Sequence, residues 1–368
     1  MKAIFLTSTF LFFLVLSSKA QNVIPFDTTK WEINAQAYVL ENYKGQDAIY
    51  IQNGMATLKD TQFLNGTIEF DVYLTERQAF PGVRFRAFGL GNMESFFLRP
   101  HLSGKGDCNQ AAVVINGITA WQLYFGEEYS FAYDYNFDGW THVKLVINDD
   151  KGQAYLDYSE SPHLSWNLKH KPQEGEIAVG GSFAPMHYAN FSIDKNATEI
   201  VDFNVKKREV IEGLVAEWEV SDKFDEKLLE DPERIQDVLS ERSWGDKISV
   251  EENNAANISW VRTRYGSDGN SVLARIKIDS KKDQMKLFEF GYSDRVVVIL
   301  NGKPMYWGTN KWRTRDYRYL GTVGLFDGVY LDLKKGDNEL ILAISEDFGG
   351  WGVTGKFRDY SGIKVSAD

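Results

Sequence analysis

The sequence predicts an all-β protein: two β-sandwich (jelly-roll) domains in series, with one short helix in the second. Three observations carry this. Short apolar or alternating runs recur along nearly the whole chain, each closed by Gly, Asn, Asp or Pro, which is the spacing of a sandwich. Asn301-Gly302, Gly336-Asp337 and Asp149-Asp150-Lys151-Gly152 are hairpin turns set between strand-forming residues. Only Pro232 to Leu239 has a helical period, with Asp231 as N-cap and Pro232 in the first turn.

Taken in order, residues 1–20 stand apart. Lys2 is a small basic start, Ala3 to Leu16 is apolar, and Ser18-Lys19-Ala20 is a small-x-small cleavage site, which together read as a secretory signal peptide. The expected location is therefore secreted or periplasmic. Residues 21–211 form the first predicted sandwich. Its strands include Ala48 to Ile51, Thr67 to Tyr73, Val83 to Phe88, Ser95 to Leu98, Ala111 to Ile115, Ala120 to Tyr124, His142 to Ile147, Gln153 to Tyr158 and Glu176 to Gly180. A charged linker, Lys206-Lys207-Arg208-Glu209, leads to a boundary near Glu212. Residues 212–368 form the second sandwich, with strands at Ile258 to Arg264, Val272 to Ile278, Lys286 to Phe290, Arg295 to Leu300, Gly328 to Leu333 and Glu339 to Ile344.

Composition narrows the function. A formal net charge of −11 argues against nucleic acid and anionic membrane surfaces as partners, and after residue 20 no apolar run is long enough to insert in a membrane. The single Cys108 leaves stability to ordinary cores rather than disulfides. No phosphate-cradling glycine loop, nucleophile elbow or metal-spaced histidine pattern is present. A structural calcium fed by loop acids such as Asp134, Asp138 or Asp222 is an expectation of sandwich architecture; no other cofactor is indicated.

Thr67, Glu69, Asp71 and Tyr73 alternate with Ile68, Phe70 and Val72, so they share the face turned from the core. Arg84 and Arg86 alternate likewise. A hairpin through residues 76–81 would put these acids and guanidiniums on one sheet face. Arg99, His101 and Trp121, with Asn116 and Gln122, are expected beside them in a polar groove. In the second sandwich the stretch from Tyr306 to Tyr319 is dense in rings and guanidiniums. Trp307, Trp312 and Tyr317 are expected to stack on sugar faces, and Arg313, Arg315 and Arg318 to pair with acidic substituents. Trp351 is expected to join them, swung outward by Gly349 and Gly350.

Asn65 to Val72, Ser95-Phe96-Phe97-Leu98-Arg99-Pro100 and Asp138-Gly139-Trp140-Thr141-His142-Val143-Lys144-Leu145-Val146 resemble the concanavalin A-like lectin/glucanase superfamily in its laminin-G-like branch. That group includes carbohydrate-binding modules, family-16 glucanases and 3-keto-disaccharide hydrolases. Val296 to Lys303 and Leu333 to Leu340 are similar to galactose-binding-like jelly rolls such as the sugar-binding domain of family-2 glycosidases. The resemblance implies an exported protein that binds oligo- or polysaccharide and is associated with polysaccharide degradation. Were it an enzyme, it would be a glycoside hydrolase or lyase using Glu69, Asp71 or Glu94; a third reading is a structural or adhesion module. Against the glucanase reading, the acidic triplet that family-16 enzymes carry on one strand is incomplete here, because neither Tyr73 nor Leu74 is an acid. Neighbours on one strand face also lie about 7 Å apart, whereas a retaining pair needs about 5 Å.

Overall fold

The computed structural model describes residues 22–315 and 321–367. The expected signal peptide, Tyr317 and Arg318 therefore lie outside the described residues. The chain is predominantly β, as expected. Its N-terminal strands are β1 (Trp31–Tyr43), β2 (Gln46–Leu58), β3 (Gly66–Leu74), β4 (Gly82–Phe88), β5 (Asn92–Leu98) and β6 (Asn109–Ile115). They continue with β7 (Ile118–Thr119), β8 (Gly139–Asn148), β9 (Lys151–Leu156), β10 (Leu164–Asn167), β11 (Glu176–Gly181) and β12 (Met186–Asp194). All twelve belong to one antiparallel sheet ordered β10-β9-β8-β3-β12-β2-β11-β4-β5-β6-β7, with β1 on β2.

β2 folds that sheet over on itself. Its residues 48–51 pair with β12 and its residues 54–57 with β11, and Asn53 between them has a left-handed φ of 45°. The two leaves close on a core that includes Ile49, Phe70, Val83, Phe96, Leu145 and Phe191. The expected hairpin between the 67–73 and 83–87 segments does not form. β3 lies between β8 and β12, and β4 between β11 and β5, so Glu69 and Asp71 are in a different leaf from Arg84 and Arg86. Arg86 instead donates from Nε to Leu64 O at 2.7 Å and from Nη2 to Asn65 Oδ1 at 2.9 Å. Ala120 to Tyr124, expected as a strand, is a turn.

The second half begins with β13 (Glu217–Ser221), β14 (Trp244–Ser249), β15 (Ala256–Asn257), β16 (Ser271–Ser280), β17 (Gln284–Ser293) and β18 (Arg295–Leu300). β19 (Lys303–Thr309), β20 (Asp327–Leu333), β21 (Gly336–Ser345), β22 (Gly352–Phe357) and β23 (Ile363–Ser366) follow. One sheet runs β14-β13-β16-β21-β18-β19 with β23 on β16, and the other runs β15-β22-β17-β20. Their facing sides bury Trp218, Ile276, Phe288, Phe290 and Leu342. The helix forms where its caps place it: Asp231 accepts from Glu233 N, a 3-10 turn Pro232–Arg234 follows, and the α-helix is Ile235–Glu241. Its Ile235 and Val238 cover the far face of the larger sheet through Leu273, Val297 and Ile341.

The halves are welded together. Ile118 of β7 is a member of the second sandwich's core. Val113, Ile115, Ala120, Leu123, Tyr124 and Tyr129 pack with Ala255 and Val323. Polar contacts reinforce the seam: Tyr124 OH donates to Glu251 Oε2 at 2.6 Å, and Arg208 donates to Asn253 O and Phe125 O at 2.8 and 2.7 Å. Among the described residues no helix is long and apolar enough to cross a membrane.

Candidate functional site

Register brings together side chains far apart in sequence. β3 and β8 pair so that Asp71 is opposite His142, Glu69 opposite Lys144, and Tyr73 opposite Trp140, all on the face turned from the core. His142 lies between the two acids: Nδ1 is 2.7 Å from Asp71 Oδ1 and Nε2 is 3.1 Å from Glu69 Oε2. The remaining Asp71 oxygen accepts from Asn190 Nδ2 at 2.7 Å. Asn190 reaches it because the β12 ladder shifts register between Ala189 and Ser192 and Asn190 takes a φ of 50°.

Burial disfavours a charged imidazole, but the hydrogen bonds it donates to Asp71 and then Glu69 outweigh it and raise His142 to about 9. At neutral pH His142 is an imidazolium donating from both nitrogens.

Above it lies Tyr158. Its ring is 3.9 Å from the imidazole centroid and tilted only 7° from it, and the residue is 74% exposed. One ring face rests on a cation and the other is open to solvent. The backbone there is unusual, since Asp157 and Tyr158 both have left-handed φ values, 50° and 61°. Such a conformation is rare for a bulky residue and needs firm anchoring. Asp157 supplies it by accepting from His142 N at 3.0 Å and from Tyr133 OH at 2.7 Å, while its own N–H donates to His142 O at 2.9 Å.

The surface continues in both directions. Toward Trp140, Tyr73 is 5.5 Å from its indole, and Tyr43 packs edge-on to Tyr73 at 5.0 Å and stacks on His187 at 3.6 Å. The Trp140 Nε1 is buried without a hydrogen-bond partner. On the other side Lys144 holds its ammonium 4.0 Å over the Tyr155 ring. The result is a strip of rings with a fixed charge set into it, suited to the C–H faces and hydroxyls of a sugar.

The candidate acids do not form a hydrolytic pair. Glu69 and Asp71 both bind one imidazole, and Asp71 is buried. Glu94 is enclosed and accepts from the backbone N–H groups of Lys169 and His170 at 2.9 and 2.8 Å; burial raises it to about 7. Among the described residues no group of three or more His, Cys, Asp or Glu could hold a metal ion.

The other expected site residues scatter. Arg84 is exposed on β4. Arg99 is buried and knits its own loop, donating to Asp107 O at 2.8 Å and to Gln110 Oε1, and burial brings it down to about 10. His101 is half-buried, edge-on to Phe80 at 5.3 Å. Trp121 is half-buried, 5.9 Å from Phe348 of the other half. Asn116 and Gln122 hydrogen-bond across the seam, to Ser259 O and with Ser293 Oγ respectively. Trp307 and Trp312 are exposed, and Arg313 stacks on Trp312 at 4.1 Å. Arg315 is engaged by Asp327 and lies 3.3 Å from Tyr292 OH.

Trp351 is the clearest departure. It is 1% exposed and donates from Nε1 to Ile344 O at 3.3 Å, so its indole belongs to the core and is not swung outward beside Trp307 and Trp312. Tyr158, by contrast, was hidden at the end of an expected strand. The strand ends at Leu156 and Asp157-Tyr158 form the turn, and the signal that marks it is Asp157 followed by the polar run Ser159-Glu160-Ser161-Pro162.

No family model matches the chain, and no curated protein matches it. Among solved structures it is similar to the carbohydrate-binding module CBM66 from Bacillus subtilis, at 14% identity and a TM-score of 0.35 over 45% of this chain and 95% of that one. A putative glycosyl hydrolase from Parabacteroides distasonis has 11% identity and a TM-score of 0.32, over 46% and 89%. A family 35 carbohydrate-binding module from an environmental isolate has 13% identity and a TM-score of 0.22, over 27% and 73%. Likenesses this slight bear on neither ligand nor chemistry.

Proposed function

We propose that the chain is an exported carbohydrate-binding protein that holds an oligo- or polysaccharide on the Tyr158 strip and works beside polysaccharide-degrading enzymes. One observation carries the reading: Tyr158 is held against solvent in a rare backbone conformation, its inner face laid on an imidazolium that two carboxylates fix in place. An exposed ring so firmly oriented loses little entropy when a sugar stacks on it. The same arrangement favours binding over hydrolysis, because both acids are committed to the cation. Export rests on the composition of residues 1–20. Trp307, Trp312 and Arg313 form a second exposed aromatic surface that would lengthen the contact with a long glycan.

The test is retention of the purified protein on a panel of soluble and insoluble polysaccharides. Tyr158→Ala should weaken retention on the preferred glycan by about tenfold or more, the scale of an aromatic anchor, while Tyr158→Phe keeps it. Equal retention by wild type and Tyr158→Ala, with both folded by circular dichroism, removes the strip from the site.

A further inference from the structure

A cavity lies at the seam. It has a volume of about 490 Å³ and takes its walls from both halves: Ile118 and Thr119 from β7, and loops 225, 263–270 and 346–351 from the second sandwich. That is the size of an ordinary small-ligand site.

Three features of its wall point to a ligand. Glu346 is 8% exposed, accepts from Gly350 N at 3.0 Å through Oε1, and leaves Oε2 without a partner. Burial, then the charge of Asp294 behind it, raises this carboxyl well above the ordinary carboxylate range. Arg264 contributes a guanidinium that has no hydrogen-bond or ion-pair partner among the described residues, although its backbone N–H is tied to Asn116 O at 3.0 Å. Phe348 is 56% exposed and gives the cavity an apolar ring, with Trp121 5.9 Å beyond.

The other charges nearby are accounted for. Asp347 is ion-paired with Arg295 and Lys311, and Lys223 with Asp268. Asp225 accepts from Lys227 N at 3.0 Å and remains a hydroxyl acceptor at the rim.

We infer that this cavity binds an acidic sugar, one ring bearing a carboxylate or sulfate, with the anion on Arg264, hydroxyls on Asp225, and a C–H face on Phe348. The site is separate from the Tyr158 strip and does not depend on it.

The experiment is calorimetric titration of the full chain with galacturonate, galactose 6-sulfate and galactose. At least one acidic probe should bind about tenfold or more tightly than galactose, the scale on which truncating one partner of a close charge pair is felt. Arg264→Ala should abolish that preference and Arg264→Lys should keep part of it. Phe348→Ala should weaken the acidic probe in the same titration. Tyr158→Ala should keep the preference for the acidic probe over galactose, which separates this site from the strip. The inference is overturned if neither acidic probe surpasses galactose, or if Arg264→Ala binds the acidic probe as wild type does.

Discussion

Changing the pH tests the charged pivot beneath Tyr158. His142 goes from an ordinary 6.5 to about 9 in the fold, which corresponds to about 3 kcal/mol of preference for the folded, charged form. Because its folded value is raised, this stability is complete below about pH 6.5 and disappears as pH rises through about 9. Two buried acids also titrate, with Glu94 raised to about 7 and Glu346 to about 8. Each keeps in the fold a proton that the unfolded chain releases above about pH 4.5, so each lowers stability as pH rises to its own folded value and no further. Above pH 8 His142 is the main group of the three still titrating. Urea unfolding followed by tryptophan fluorescence should therefore show wild-type stability falling between pH 8 and 9.5 by up to about 1.4 kcal/mol per pH unit. His142→Gln should fall distinctly less over that interval, keeping only the slope of the Cys108 thiol, which burial raises in the fold while the unfolded chain ionises it. Glycan retention should decline over the same range, since the ring loses its cationic support. Parallel wild-type and His142→Gln curves above pH 8 would show that His142 is not an imidazolium between Asp71 and Glu69.

Two further outcomes follow from buried groups. Glu346→Gln keeps an acceptor for Gly350 N and removes a carboxyl that must ionise in a dry setting. Urea unfolding at pH 9 should find it more stable than wild type by several kcal/mol, with a much smaller difference at pH 5. Ile118→Ala removes a core side chain of the second sandwich from a strand of the first sheet and should cost about 2–4 kcal/mol. Scanning calorimetry of wild type should show one joint transition; two well-separated ones would show that the seam does not couple the halves.

Much of the fold is legible in the sequence because its signals are local. The Asn301-Gly302 and Asp149-Asp150 turns, the alternation in 67–73 and the Asp231 cap each depend on a few adjacent residues, and each appears in the structure. The site was only half legible. Glu69 and Asp71 stood out, but the partner that occupies them, His142, is 71 residues from Asp71 and meets it only through strand register. In the sequence the glycines before Trp351 suggest freedom for an outward swing. Gly349 and Gly350 do have left-handed φ values, 109° and 138°, but they serve close approach. A Cβ on Gly349 would meet Gln122 Oε1 at 2.2 Å, and one on Gly350 would meet Leu123 Cδ1 at 2.6 Å. The neighbours that require glycine belong to the other half of the chain, and no local pattern could name them.

The insertion of Ile118 into the neighbouring core makes the molecule a ruler rather than a tether. Tandem modules on a flexible connector must find the second contact by diffusion, at a local concentration set by linker length. Here the strip and the seam cavity keep one separation and one mutual angle, so a glycan that engaged both proposed sites at once would have to match that spacing. Selectivity for branch geometry would then be a property of the seam itself.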